Sequence, residues 1–77
     1  MRFYITMNMP SRSGNSIHQV VGEHHAATLE EFHETLNDVD FVMVEEFYKN
    51  QSGKFYSMGE IILNTMHIGK VKASTDD

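Results

Sequence analysis

The fold class of this chain depends on the stretch GEHHAATLEEFHETLND, residues 22 to 38, which has helical periodicity. Thr28 followed by Glu31 matches a capping box, in which a hydroxyl and a carboxylate satisfy backbone N–H groups at the start of a helix. After this cap, apolar residues recur at the spacing of one helix face: Leu29, Phe32, Leu36 and Val39. The stretch therefore predicts one amphipathic helix of about ten residues.

The residues before this helix have the pattern of a β-hairpin. In FYITMNM, residues 3–9, apolar and polar side chains alternate, which is typical of a half-buried strand. Residues 10–15, PSRSGN, have turn composition, and a weaker strand pattern follows in residues 16–24. We therefore predict a hairpin over residues 2–24.

The residues after the helix predict a second hairpin and a last strand. Residues 40–50 and 54–64 are rich in aromatic and branched side chains, and QSG separates them as a turn. Gly59 in the second arm predicts a bulge. The last strand is expected from Ile68 to Lys72, after a tight turn at Asn64 and Thr65.

These segments predict an α+β fold with a small antiparallel sheet, in the sequence order β-β-α-β-β-β, and one amphipathic helix packed on one face. The predicted domain covers residues 1–72, and residues 73–77 are expected to be a frayed tail. One short helix cannot cover five strands, so part of the apolar sheet surface is expected to remain exposed. The strand starting at Phe41 has apolar residues on both faces, which indicates an interior strand or one whose back is covered by a partner. We expect Val42, Val44 and Tyr48 to be contact residues for such a partner.

Composition excludes several classes of site. The chain has 77 residues and no cysteine, which excludes disulfides, thiolate metal sites and cysteine nucleophiles. No apolar run approaches the roughly 20 residues that cross a bilayer, and the first residues lack the features of a secretory signal. A cytoplasmic location is therefore expected. With no disulfide to stabilise so short a chain, oligomerisation is the expected alternative.

Charge is distributed unevenly along the chain. The formal net charge is −5, and residues 23–46 hold eight of the eleven acidic residues and no lysine or arginine. Such a segment repels nucleic-acid phosphates and suits a basic protein surface. Three of the acids, Glu30, Glu31 and Glu34, are predicted to point away from the apolar face of the helix.

These observations favour a small non-enzymatic protein-interaction module with a regulatory or accessory role and no cofactor. We expect a homodimer formed through an uncovered sheet face or edge, with the acidic helix facing a basic partner. The predicted contact residues are Glu30, Glu31, Glu34, Val42, Val44 and Tyr48. The short length, acidic charge and absence of cysteine are also compatible with an accessory protein of a phage or mobile element.

Two other classes of function have candidate residues. His24, His25 and His33 could bind a metal or, with Glu45, form a small metal-assisted or acid–base enzyme, although no HExxH spacing is present. The residues Arg12, Ser13 and Gly14 could bind an anion through consecutive backbone N–H groups. Single-stranded nucleic acid could bind Arg2, Lys70 and Lys72, with Tyr4 as a stacking group, if the first and last strands are neighbours.

Overall fold

The computed structural model describes residues 1–75 and confirms the α+β class, with one antiparallel sheet of five strands. The elements follow the predicted order: β1 (Arg2–Ser11), β2 (Gly14–Glu23), α1 (Leu29–Asp38), β3 (Phe41–Lys49), β4 (Phe55–Asn64), the 3₁₀ helix η1 (Thr65–His67) and β5 (Ile68–Ala73). Both predicted hairpins are present. Within residues 1–75, neither helical segment has the length and apolar character needed to cross a membrane.

The sheet curls strongly, which follows from its strand order. The order is β4-β3-β2-β1-β5, so β4 and β5 form opposite edges although only η1 connects them. Five flat strands would separate these edges by about 19 Å. The four Cα steps from Asn64 to Ile68 span at most about 14 Å. The sheet must therefore bend, and a cleft between Val20 and Leu63 lies where its two halves approach each other.

The concave inner face of the sheet carries the core. Phe3, Ile5 and Met7 of β1 are buried there, together with Val42 and Val44 of β3 and Leu63 of β4. Gly22 of β2 lies among them, and a Cβ at this position would be 2.8 Å from Cγ2 of Val44. Glycine therefore allows β2 and β3 to bring their inner faces together.

Helix α1 closes this core with a single fully buried side chain. The ring of Phe32 stacks on Phe3 at a centroid distance of 4.3 Å. Leu36 is half-buried, whereas Leu29 and Val39 remain 40% and 38% exposed. The predicted apolar face is therefore only partly covered.

The predicted helix cap is confirmed, with one change in its geometry. Thr28 Oγ1 accepts a hydrogen bond from the Glu31 N–H at 3.1 Å. The carboxylate of Glu31 accepts from the N–H of Ala27 at 2.9 Å, one residue before the cap. Both backbone donors at the entrance of the helix are satisfied in this way.

Two further details refine the predictions. The bulge predicted at Gly59 is present, because the pairing of β3 with β4 shifts there by one residue and Gly59 has φ +97°. The last strand is longer than predicted: it reaches Ala73, and Ser74 is buried and donates its N–H to the Arg2 carbonyl at 2.9 Å. The predicted frayed tail therefore does not begin at residue 73, and its last two residues lie outside the described part of the chain.

Candidate protein-binding face

An exposed cluster of apolar side chains covers the convex outer face of the β3–β4 hairpin. Met43 and Ile62 are cross-strand partners, 53% and 63% exposed, and Phe41 lies next along β3 with 62% exposed. We call these three residues the apolar patch. The helix packs on the opposite, inner face of the sheet, so this cross-strand pair stays exposed, and exposed apolar patches mark interaction sites.

The position of the patch corrects the sequence prediction, which placed the contact residues on the other side of β3. Val42 and Val44 are 4% and 2% exposed and form part of the core, so they cannot meet a partner. Tyr48 has the same alternation, but it lies beyond the core, opposite Tyr56, and is exposed. Phe41 and Met43 were missed because both faces of β3 are equally apolar in sequence.

A row of carboxylates borders the patch. Glu45 of β3 lies opposite Glu60 of β4, one cross-strand pair beyond Met43 and Ile62. Glu45 also pairs with Glu23 of β2 and accepts a hydrogen bond from the Ser57 hydroxyl at 2.5 Å. Like charges placed directly opposite each other destabilise a sheet. The apolar patch therefore ends at a group of mutually repelling carboxylates.

The strand that carries Ile62 is also an edge of the sheet. β4 pairs with β3 on one side, and within residues 1–75 its other side pairs with no strand. The bulge at Gly59 and the start of η1 at Thr65 leave residues 60–64 as the regular part of this edge. An open edge of this kind presents unpaired backbone groups that can accept another strand.

The three predicted helix acids are exposed, although one already has a structural role. Glu30 and Glu34 project to solvent, whereas the side chain of Glu31 is bonded to the Ala27 N–H. Glu30 and Glu31 also lie in the first turn, where negative charge suits the helix dipole. The helix therefore leaves an acidic surface of which Glu30 and Glu34 are the free members.

The histidines do not assemble as the metal hypothesis requires. His24 and His25 stack with a centroid distance of 4.2 Å and line a cleft that also includes Glu45 and Glu60. His33 lies on the other side of the helix, in a groove beside β5, and contacts Asn37 at 3.3 Å. Among residues 1–75, no three histidine, aspartate or glutamate side chains are close enough to hold a metal ion. The predicted grouping of His24, His25 and His33 is therefore wrong.

The environment of His24 favours the neutral imidazole. Its Nδ1 accepts a hydrogen bond from the Ala26 N–H at 3.0 Å, which requires that this nitrogen carry no proton. Burial, followed by repulsion from His25 and from the N-terminal ammonium, lowers the pKa of His24 below its usual 6.5. The ring also packs on Phe32, at a centroid distance of 5.0 Å.

This lowered pKa predicts a dependence of stability on pH. Between the folded pKa of His24 and 6.5, the unfolded chain binds more protons than the folded one. The free energy of unfolding should therefore fall as pH decreases through this window, and His24→Gln should make the fall shallower. Urea unfolding at a series of pH values and an NMR titration of His24 test this. A His24 pKa above 6.5 would contradict it.

The predicted anion loop is a hairpin turn. Arg12 and Ser13 connect Ser11 to Gly14, which are paired across the end of β1 and β2. The Ser11 hydroxyl donates to the Gly14 carbonyl at 2.6 Å, and Gly14 has φ +119°. A strand follows this turn, so the helix N-terminus that assists phosphate binding in other proteins does not adjoin it.

Comparisons with protein-family models, with curated proteins and with solved structures found no match to this chain.

Proposed function

We propose that this protein is a non-enzymatic interaction module whose apolar patch and β4 edge bind a second copy of the chain. The observation that carries the proposal is the coincidence of the patch with an open edge strand. Apolar side chains on an edge strand promote pairing with a strand of another chain, and proteins that remain monomeric protect such edges with charge or proline. Residues 60–64, EIILN, contain one charge and no proline.

The geometry of β4 suggests how two copies would pair. An antiparallel pair about a two-fold axis has the same residue of each copy at its centre. The regular edge, residues 60–64, is centred on Ile62. This register places Ile62 opposite its own copy and Glu60 opposite Asn64, so the carboxylates of the two copies do not meet.

The area that a stable interface buries indicates that backbone and side-chain contacts would both contribute to dimer formation. A stable complex buries roughly 800 Å² on each partner, which is more than one row of side chains supplies. Strand pairing along β4 adds main-chain hydrogen bonds, and the outer faces of the two hairpins then form one surface. In this arrangement Ile62 and Met43 of both copies are adjacent, with Phe41 beside them.

A second partner would use the surface that the dimer leaves exposed. Glu30 and Glu34 lie in the first half of α1 and are exposed, and their charge suits a basic protein. We therefore assign the acidic helix to that partner and the patch to self-association.

A single-cysteine variant tests the register. The protein has no cysteine, so Ile62→Cys introduces one thiol per chain. Residues directly opposite in an antiparallel pair have Cβ atoms about 4.5–5.5 Å apart, close to the range that a disulfide bridges. We expect mild oxidation to convert most of this variant to a covalent dimer, measured by non-reducing electrophoresis.

The matched control is Ile17→Cys, on the part of β2 that has no pairing with β3. Ile17 is 73% exposed, at least as accessible as Ile62, so chance collisions would link both variants at the same rate. Equal crosslinking of the two would overturn the proposed register, and monomeric wild-type protein at all concentrations would overturn self-association itself.

A further inference from the structure

The outer face of β1 and β5 brings together the basic and aromatic residues that single-stranded nucleic acid requires. β1 pairs with β5, so the neighbour relation on which that hypothesis depended is confirmed. Tyr4 lies opposite Lys72 and Thr6 lies opposite Lys70. With Gln19 of β2, which pairs with Thr6, these side chains line one shallow depression.

Two more cations extend this surface across the sheet. Arg2 lies on the same face of β1 as Tyr4, and its guanidinium is 4.5 Å from the ring centroid of Phe47 and 4.6 Å from that of Phe55. The ammonium of Lys49 lies 5.5 Å from the Phe55 centroid. Four of the six basic residues of the chain therefore lie on this face, which we call the basic strip: Arg2, Lys49, Lys70 and Lys72.

The basic strip carries positive charge, although the net charge of the protein is negative. Glu23, 3.5 Å from Arg2, offsets one of the four cations, and Glu45 and Glu60 lie on the same sheet face beside the apolar patch. The acidic residues of α1 do not lie on the strip's face, because the helix packs on the inner face of the sheet. A chain of net charge −5 thus has one sheet face on which four cations accompany three carboxylates, with Arg2, Lys70 and Lys72 at its β1–β5 end, and such an asymmetry orients an approaching polyanion.

The arrangement of these groups indicates the class of ligand. Lys70 and Lys72 project from one face of one strand, about 6.8 Å apart along it, and can contact successive phosphates of an extended strand. Tyr4 stands beside them with a half-buried ring, and the hydroxyl and amide of Thr6 and Gln19 supply hydrogen bonds. Aromatic groups between cations suit the unpaired bases of a single strand, which a duplex keeps stacked inside.

We propose that the basic strip binds single-stranded nucleic acid, with Lys70 and Lys72 on its phosphates and Tyr4 stacked on a base. This proposal does not depend on dimer formation through β4, because β5 is the opposite edge of the sheet. The two proposals can therefore fail separately.

The test is fluorescence anisotropy with labelled single-stranded oligothymidylate of about 12 nucleotides, within the site sizes typical of small sheets. Binding should weaken as salt rises, with a logarithmic slope of roughly −2 for about three phosphate contacts. The double variant Lys70→Ala/Lys72→Ala should bind about 10-fold more weakly and lose most of that slope, since about two contacts are removed. Tyr4→Leu should lower affinity about 5-fold or more with the slope unchanged.

The matched control is Arg12→Ala/Lys54→Ala, which removes the same charge from the two hairpin turns. It should retain wild-type affinity within about 2-fold, because neither residue lies on the strip. An equal loss in this control would show non-specific attraction and overturn the proposal. So would the absence of binding near 50 mM salt, where phosphate contacts are strongest. Unchanged binding by Tyr4→Leu, with equal competition by inorganic tripolyphosphate, would also overturn it in favour of a simple phosphate site.

Discussion

The Phe32→Ala variant is expected to be largely unfolded at 25 °C. Phe32 is fully buried, stacks on Phe3 and contacts the His24 ring, so it is the main connection between the helix and the sheet. Truncating a buried phenylalanine costs about 3–5 kcal/mol. A core of this size rarely supplies more than about 3–5 kcal/mol in total. Far-ultraviolet circular dichroism and urea unfolding measure the effect.

Leu29→Ala is the control for this prediction. Leu29 belongs to the same helix and the same predicted apolar face, but it is 40% exposed, whereas Phe32 is fully buried. The free energy of unfolding should therefore fall by less than about 1 kcal/mol, as for other surface changes. If both variants had the same unfolding midpoint, the stacked Phe3–Phe32 pair would not be the centre of the core.

The Ile62→Lys variant is expected to be monomeric at concentrations where the wild-type protein is a dimer. In the proposed register the two copies of residue 62 face each other, so the substitution places two ammonium groups together in an apolar contact. Juxtaposed like charges cost several kcal/mol, which corresponds to at least a 100-fold loss of affinity. Sedimentation velocity at several concentrations measures the change in dissociation constant.

Ile17→Lys makes the same chemical change at an exposed isoleucine on the outer face of β2 and should leave the dimer intact. Circular dichroism should show that both variants remain folded, because neither isoleucine is in the core. If Ile17→Lys dissociated the dimer equally, added charge rather than the β4 contact would explain the result. If Ile62→Lys remained dimeric, the interface would lie elsewhere.

Local signals in the sequence were sufficient for most of the secondary structure. The cap at Thr28, the turn residues at Gly14 and Gly53 and the bulge at Gly59 each depend on residues close in the chain. Such interactions are fixed by neighbouring side chains and backbone angles, and they hold whatever the tertiary fold. The helix, both hairpins and the α+β class followed from them.

The inward face of β3 could not be predicted in the same way. Phe41 and Met43 are as apolar as Val42 and Val44, so alternation identified two faces without deciding which one is buried. The decision comes from the pairing of Gly22 with Glu46, which places the face of Val44 against the close approach at Gly22. That pairing joins residues more than twenty positions apart, and no local pattern encodes it.

The candidate sites show the same difference between local sequence signals and pairings of distant residues. Sequence alone grouped His24 and His25 with His33, but the helix places His33 in a different groove. The basic strip required that β1 and β5 be neighbours, a condition that could be stated from sequence but decided only by the sheet. The association of Arg2 with Phe47 and Phe55 had no sequence signal, since it joins the first strand to the second hairpin.

Native mass spectrometry of the unmodified protein, sprayed over a series of concentrations, tests directly whether the chain associates with itself. Self-association through the β4 edge predicts a dimer whose fraction rises with concentration and which Ile62→Lys abolishes. A monomer at every concentration, up to those at which weak dimers form, would rule out self-association through β4. The exposed patch of Phe41, Met43 and Ile62 would then have to serve a partner other than the chain itself.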